Sequence, residues 1–270
     1  MKNAISFLAL ALFATAAAAE DPAAEVVLVT GRVTAVAADS SRNVGRGDFI
    51  YAGETVQVGN NSYANLSFKD GGRILLRPNT EFVVEAYQYD ASIPEQAAAP
   101  PAPKSKGKAV ATPALQGSSG NKAFFKLLKG GFRAISGVIG KAARQNYRVS
   151  TPVATIGIRG TDYDAVLCAD DCPNVSTTAS SAPVMVASTE LAGLELAQAG
   201  GGSSGGGLIV GVNDSGQPDS AVEVTNSKGD KFQVNVNQFL LAMADGQTFV
   251  LPIPPDNLLL NPVPSPEDCN

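Results

Sequence analysis

The chain has 270 residues, 44% of them apolar, a formal net charge of −5 and no histidine. That length fits one large β domain or two small ones, and the apolar content is enough for a core, which excludes disorder throughout. The missing histidine excludes Ser-His and Cys-His nucleophiles, imidazole bases and His-ligated zinc, and most common hydrolase mechanisms go with them.

Residues 1–19 have a basic start at Lys2, an apolar run from Ala4 to Ala14 and an Ala17-x-Ala19 site before Glu20. This layout predicts a secretory signal peptide and an exported mature chain, periplasmic or secreted. No later segment reaches the roughly 20 apolar residues of a spanning helix, so no transmembrane segment is expected.

Val26 to Val36, "VVLVTGRVTAV", reads as β-branched strand with a Gly break, followed by the polar turn "ADSSRNVGRGD". From Asp48 to Tyr87, short apolar runs are cut by "AGE", "GNN", "KDGG" and "RPNT". Alternation puts Ala64, Leu66 and Phe68 on one strand face and pairs Ile74 with Leu76 on the next. "KDGG" between them predicts a hairpin, since Gly tolerates the positive φ of a tight turn.

Residues 91–121 form a Pro/Ala/Lys/Ser tract without an aromatic, whose composition cannot repay the entropy of ordering, so a flexible excursion interrupting a domain is predicted. Next, "KAFFKLLKGGFRAISGVIGKAARQNYRVS" admits two readings. Its lysines and apolar residues fit a cationic amphipathic helix lying on a membrane. Gly130, Gly131, Gly137 and Gly140 oppose a helix, at about 1 kcal/mol each, and favour strands 123–128 and 132–136 joined at "KGG".

In "TPVATIGIRGTDYD" alternation buries Ala154, Ile156 and Ile158, and "RGTD" follows where the strand should bend. Residues 176–207 are a low-complexity insertion with a short helix predicted over 191–198. Strand pattern returns at "LIVGV", "SAVEVTN", "KFQVNV" and "QFLLAMADGQTFVL", before the Pro-rich tail 252–270. Of the three cysteines, Cys168 and Cys172 are spaced for a small disulfide loop in an oxidising compartment, leaving Cys269 over or paired between chains. Zinc would need two further soft ligands that the sequence does not offer, and no cofactor is expected.

The net charge hides a strong asymmetry. Residues 96–161 hold eleven basic side chains and no acid, whereas fourteen acids face two lysines from Asp162 onward. Either the two stretches lie together and neutralise one another, or the basic one forms a patch for an anionic polymer. Lys126, Lys129, Arg133, Lys141, Arg144 and Arg148 are the candidate strip. Nucleic acid suits an exported acidic chain with few interleaved aromatics poorly, and an envelope protein or anionic glycan suits the compartment better.

The segments "GRV", "GDFIYAGETVQV", "FKDGGRILLRPNTEF", "LLKGGFRAISGVIG" and "YRVSTPVATIGIRGTDYD", in that order, resemble the FecR-domain family over residues 26–166, the excursion excepted. The resemblance implies an all-β exported recognition module: a FecR-like roll or sandwich, or a β-solenoid-like domain, with low-complexity insertions. Residues 167–207 would be a Cys loop and insertion, and 208–251 would supply strands completing the domain. Family regulators that hold a sigma factor place a cytoplasmic helical domain and a membrane helix before the β part. Only Glu20 to Glu25 precede the first expected strand here, so sigma-factor control is not carried over.

Arg159, Thr161 and Asp162 form the candidate brace or ligand site, with Asp70 of "KDGG" as a candidate partner for Arg159. Asp162 and Asp164 share one side of an extended strand roughly 7 Å apart, a spacing that inverting glycosidases also use, although no Trp is present to stack a sugar. "DYD" and "ADD" also offer hard oxygen ligands for calcium, without the loop spacing of a calcium motif. The sequence thus points first to a non-enzymatic envelope binding or structural module. An exported carboxylate-dependent carbohydrate hydrolase and a surface-assembly scaffold of undefined oligomeric state are the alternatives.

Overall fold

A computed structural model describes residues 21–92, 120–142, 144–169, 172, 206–216, 220–255 and 258. Its strands are β1 (Ala24–Thr30), β2 (Val33–Val36), β3 (Ser41–Asn43), β4 (Phe49–Ile50), β5 (Thr55–Val58), β6 (Tyr63–Phe68), β7 (Arg73–Leu76), β8 (Glu81–Gln88) and β9 (Lys122–Lys129). They continue as β10 (Gly131–Ile135), β11 (Tyr147–Ser150), β12 (Ala154–Ile158), β13 (Asp162–Cys168), β14 (Gly207–Asn213), β15 (Ala221–Asn226), β16 (Lys231–Asn235), β17 (Phe239–Met243) and β18 (Thr248–Leu251). One helix, α1 (Val138–Ala142), and a 3-10 turn at Arg144–Asn146 lie between β10 and β11.

The strands build two nine-stranded sheets. The first runs β4-β1-β6-β7-β10-β13-β14-β17-β18 and the second β3-β2-β5-β8-β9-β11-β12-β15-β16, and neither closes into a barrel. The chain places a hairpin in one sheet, crosses over, places the next in the other, and advances. Both sheets therefore grow toward the same end in chain order, as in a solenoid of hairpins. The all-β expectation holds, in a form that joins its sandwich and solenoid versions.

Every strand pairing is antiparallel except β9 with β11. Between those two the chain passes through β10, α1 and the 3-10 turn, and so re-enters the second sheet from the same end; only a crossover of that length permits a parallel neighbour. Gly130 makes the step from β9 to β10: it sits at φ +74°, and a Cβ there would meet the Thr80 hydroxyl at 2.5 Å and the Asn79 carbonyl at 2.7 Å. β9 and β10 match the strands predicted at 123–128 and 132–136 in position but lie in different sheets, so "KGG" is a crossover and not a hairpin. The amphipathic-helix alternative fails for the same segment.

The two sheets enclose one main core. The "KDGG" turn pairs Ala64 with Leu76 and Leu66 with Ile74, and all four face the core. A contiguous aromatic chain spans it, Phe68–Phe125–Phe82–Phe132–Tyr163, with ring centroids 5.1–5.6 Å apart, and Tyr87 and Tyr147 join at its flanks. Edge-to-face and tilted pairs at these distances add stabilisation beyond area burial. Inside the core the Tyr147 and Tyr163 hydroxyls hydrogen-bond each other at 2.9 Å. Burial raises the pKa of both phenols, and burial together with the Asp70 charge raises that of Tyr87.

β8 and β9, on either side of the Pro/Ala tract, pair directly, and the Asp90 backbone N–H and carbonyl both bond to the Asn121 side chain, at 2.7 and 3.2 Å. The predicted helix over 191–198, the cleavage site and Cys269 lie outside the described residues. Among the described residues no helix is long and apolar enough to cross a membrane.

Candidate functional site

β13 begins with Asp162-Tyr163-Asp164. Strand alternation sends Tyr163 into the core and both carboxylates to the outer face of the first sheet. Two arginines meet them there. Arg133, on β10, is the register partner of Asp164, but its guanidinium leans to Asp162 and makes two bonds, Nε to Oδ1 at 3.0 Å and a terminal nitrogen to Oδ2 at 2.8 Å. Arg77, one residue beyond β7, donates to Asp164 Oδ1 at 2.6 Å. Asn213, opposite Asp162 at the end of β14, donates from Nδ2 to Asp162 Oδ1 at 3.0 Å and to Asp164 Oδ2 at 2.9 Å.

Two cations and two anions thus cancel across four strands, β7, β10, β13 and β14. The Arg77 and Asp164 side chains keep only 7% and 12% of their exposure. Two-point Arg–carboxylate bonds fix geometry as well as charge. What this arrangement does chemically is hold strands in register.

The candidate triad therefore divides. Asp162 is bound by Arg133. Thr161 is buried and donates its backbone N–H to the Ser136 hydroxyl at 2.8 Å, tying the start of β13 to the end of β10. Arg159 lies in the turn that carries the chain from the second sheet to the first, and its backbone N–H donates to the Ala221 carbonyl at 2.9 Å. Asp70 is not its partner. Asp70 instead accepts from the Tyr87 hydroxyl at 3.1 Å, from Gly72 N–H at 3.1 Å and from Ile139 N–H at 3.3 Å, and so binds the "KDGG" turn to the start of α1. Gly137 makes that approach feasible, since a Cβ there would stand 2.3 Å from Asp70 Oδ2.

The candidate basic strip also divides, because its members belong to different sheets. Lys126 on β9 and Arg148 on β11 face outward from the second sheet, whereas Arg133 faces outward from the first and is engaged with Asp162. On the second sheet Arg148 is the register partner of Phe124 and lies 4.6 Å from its ring centroid, a cation–π contact on an open surface. Lys122, on the same face of β9, continues the row, and Lys126 lies beside Ser150. Lys129 ends β9 opposite Glu81, Lys141 lies in α1, and Arg144 lies in the 3-10 turn, all three exposed.

Cys168 and Cys172 form a disulfide with Cα atoms 4.9 Å apart. On the outer face of the first sheet, Cys168, Ile209, Leu241, Met243 and Leu251 make a second, smaller apolar cluster, with Cys172 and Leu258 packed against it. Sequence reasoning missed Arg77, Asn213 and the role of Phe124. Arg77 is 87 positions from Asp164, and nothing local in "LLRPNT" marks it as a partner.

Residues 54–182 match the family described as FecR protein. No curated protein matches the chain. Among solved structures, two of a "putative anti-sigma factor" from Parabacteroides distasonis ATCC 8503, at 1.65 and 2.50 Å resolution, align at 9% identity with TM-scores of 0.39 and 0.40. The alignments cover 76% of this chain and 62% of the length of those structures.

Proposed function

Because residues 54–182 match the family described as FecR protein, we propose that the chain is an exported, non-enzymatic binding module of the bacterial envelope that recognises a protein or an anionic glycan through the outer face of its second sheet. The observation that carries this reading is the row Lys122, Phe124, Arg148 and Lys126, three cations around an aromatic ring on adjacent strands of a rigid sheet. A cation held over a ring presents its remaining donors to an incoming anion at small further entropic cost. The disulfide suits an oxidising compartment, and the signal-peptide pattern of residues 1–19 supports export to the periplasm or beyond.

The hydrolase alternative is disfavoured by the same geometry that first suggested it. Asp162 and Asp164 have the spacing, yet both accept from Asn213, each is paired with an arginine, and both residues are buried. A catalytic acid and base need access to a glycosidic oxygen and a water. Neither carboxylate has it here.

The test is retention of the mature protein on an immobilised acidic polysaccharide, and its recovery of partners from an envelope extract, at low and high salt. The triple variant Lys122→Gln/Lys126→Gln/Arg148→Gln is the comparison. Salt-sensitive binding that the triple variant loses while its circular dichroism is unchanged is the expected result. Binding that is salt-insensitive, or equal in the variant, removes the second sheet as the recognition face.

A further inference from the structure

The two ends of this sandwich are finished differently. At the end where the chain starts, the last strands are very short, β3 with three residues and β4 with two. A polar clamp joins them across the sheets. Arg42 on β3 donates to the Phe49 carbonyl on β4 at 2.6 Å and to both Glu54 carboxylate oxygens at 2.9 and 2.8 Å. Short, charged edges are how β proteins avoid pairing with one another.

At the other end, the second sheet closes on β16, whose Lys231 is paired with Glu223. The first sheet closes on β18, "TFVL", which has no charged residue and pairs only with β17 among the described residues. Its register partner for Val250 is Leu240, a core residue, so Val250 faces the inter-sheet layer; it is nevertheless 50% exposed. Ile253, just beyond, is 69% exposed. Among the described residues nothing pairs with this uncharged, β-prone edge beside the core, and the prolines at 252, 254 and 255 keep that strand from lengthening.

We propose that this edge is a self-association surface, in which β18 pairs antiparallel with β18 of a second copy about a twofold axis centred on Val250. A twofold axis normal to the sheet keeps both inner faces on one side. It sets Val250 against Val250 of the copy, and Phe249 against Leu251, continuing the first sheet through the dimer. Charge and length place the contact: β18 is the one edge strand of either sheet that brings neither Lys, Arg, Asp nor Glu to it other than the two-residue β4, so two identical copies meet there with no like charges opposed. A four-residue strand with three apolar side chains, Phe249, Val250 and Leu251, covers less than the roughly 800 Å² per partner of a standard interface, so the dimer is reversible. This inference does not depend on the basic face of the second sheet.

The test is sedimentation equilibrium of the mature protein carrying Cys269→Ser, so that chains cannot be bridged while the Cys168–Cys172 disulfide beside β18 stays closed, over about a hundred-fold range of concentration. Mass rising from monomer toward dimer is expected. Val250→Lys should weaken the dimer at least about tenfold, while Gln233→Lys on β16 leaves it unchanged. If Val250→Lys misfolds, hydrogen exchange of the wild type decides: the amides of 248–251 should gain protection as concentration rises. A wild type that stays monomeric throughout, a dimer that Val250→Lys does not weaken, or concentration-independent exchange at 248–251 would overturn the proposal.

Discussion

Replacing Asp164 by Asn removes one negative charge and almost no volume from the Arg77–Arg133–Asp162–Asp164–Asn213 network. Asn can still turn its single oxygen toward Arg77, which now donates to Asp164 Oδ1 at 2.6 Å. Its amide nitrogen then faces Asn213 Nδ2, which donates to Asp164 Oδ2 at 2.9 Å in the native protein, and two donors oppose one another. Turning Asn213 over relieves that clash but points its oxygen at Asp162 Oδ1, to which Nδ2 now donates at 3.0 Å. No arrangement of the two amides satisfies the network, and Arg77, with 7% of its side chain exposed, loses the carboxylate charge it faces at 2.6 Å. Breaking a buried pair in this way costs about 3–5 kcal/mol. Because Asn keeps one bond to Arg77, a loss near the lower end, about 3 kcal/mol, is expected. For a chain of this size that corresponds to roughly 6–12 °C in Tm. Urea unfolding followed by far-UV circular dichroism measures it. The double change Arg77→Met/Asp164→Leu, which removes both charges and fills the space, should recover at least half of the loss. Lys231→Ala, breaking the pair with Glu223 whose side chains are 65% and 40% exposed, should cost under about 1 kcal/mol. An Asp164→Asn loss as small as that of Lys231→Ala would show that water reaches Arg77 and that the network is not a buried brace.

Alkali should unfold the protein through its tyrosines. Tyr87, Tyr147 and Tyr163 hold their protons in the folded state above the ordinary phenol range, while the unfolded chain releases them near pH 10, so their contribution is intact below that pH and falls as pH rises beyond it. Phenolate absorbance should show these three ionising only together with loss of the folded circular dichroism; titration before unfolding would contradict their burial. Tyr163→Phe leaves the Tyr147 hydroxyl unpartnered in the core and should cost about 1–3 kcal/mol by urea titration, with Tyr147→Phe/Tyr163→Phe losing less than the single change. Gly137→Ala forces a methyl onto Asp70, 2.3 Å from Oδ2, and should cost at least about 2 kcal/mol by the same assay, whereas Gly47→Ala, with nothing within 4 Å of its Cβ position, meets no atom and should cost only what its φ of +87° demands.

Much of the fold was legible because its strands advertise themselves locally. Ala64, Leu66, Ile74 and Leu76 alternate, "KDGG" turns, and Ala154, Ile156 and Ile158 mark a buried face. What was not legible is which sheet a strand joins. Alternation fixes an inner and an outer face for β9 and for β10, but the crossover at Gly130 decides that Lys126 and Arg133 look out of opposite sides of the molecule. The helix α1 was hidden for a related reason: five residues, one of them Gly140, carry too weak a periodic signal, and the segment is held by Asp70 from 69 positions away. At the candidate site the carboxylates were visible as a pair in "DYD". Their partners were not, since Arg77 and Asn213 become neighbours only after β7, β10, β13 and β14 have been laid side by side.

The order of assembly carries a consequence for how such a chain can be delivered. Each strand from β5 onward pairs with at least one strand that precedes it: β6 with β1, β8 with β5, β10 with β7, β11 with β9, β13 with β10, β15 with β12, β17 with β14. A polypeptide emerging N-terminus first from a translocation pore therefore never has to wait for sequence still inside it to find a docking edge. Asp162 and Asp164 follow Arg77 and Arg133 in the chain and tie β13 to β7 and β10, and Asn213 on β14, later still, completes the network. Delivered in that order, the brace would close in two stages, the ion pairs first and the Asn213 bonds after them.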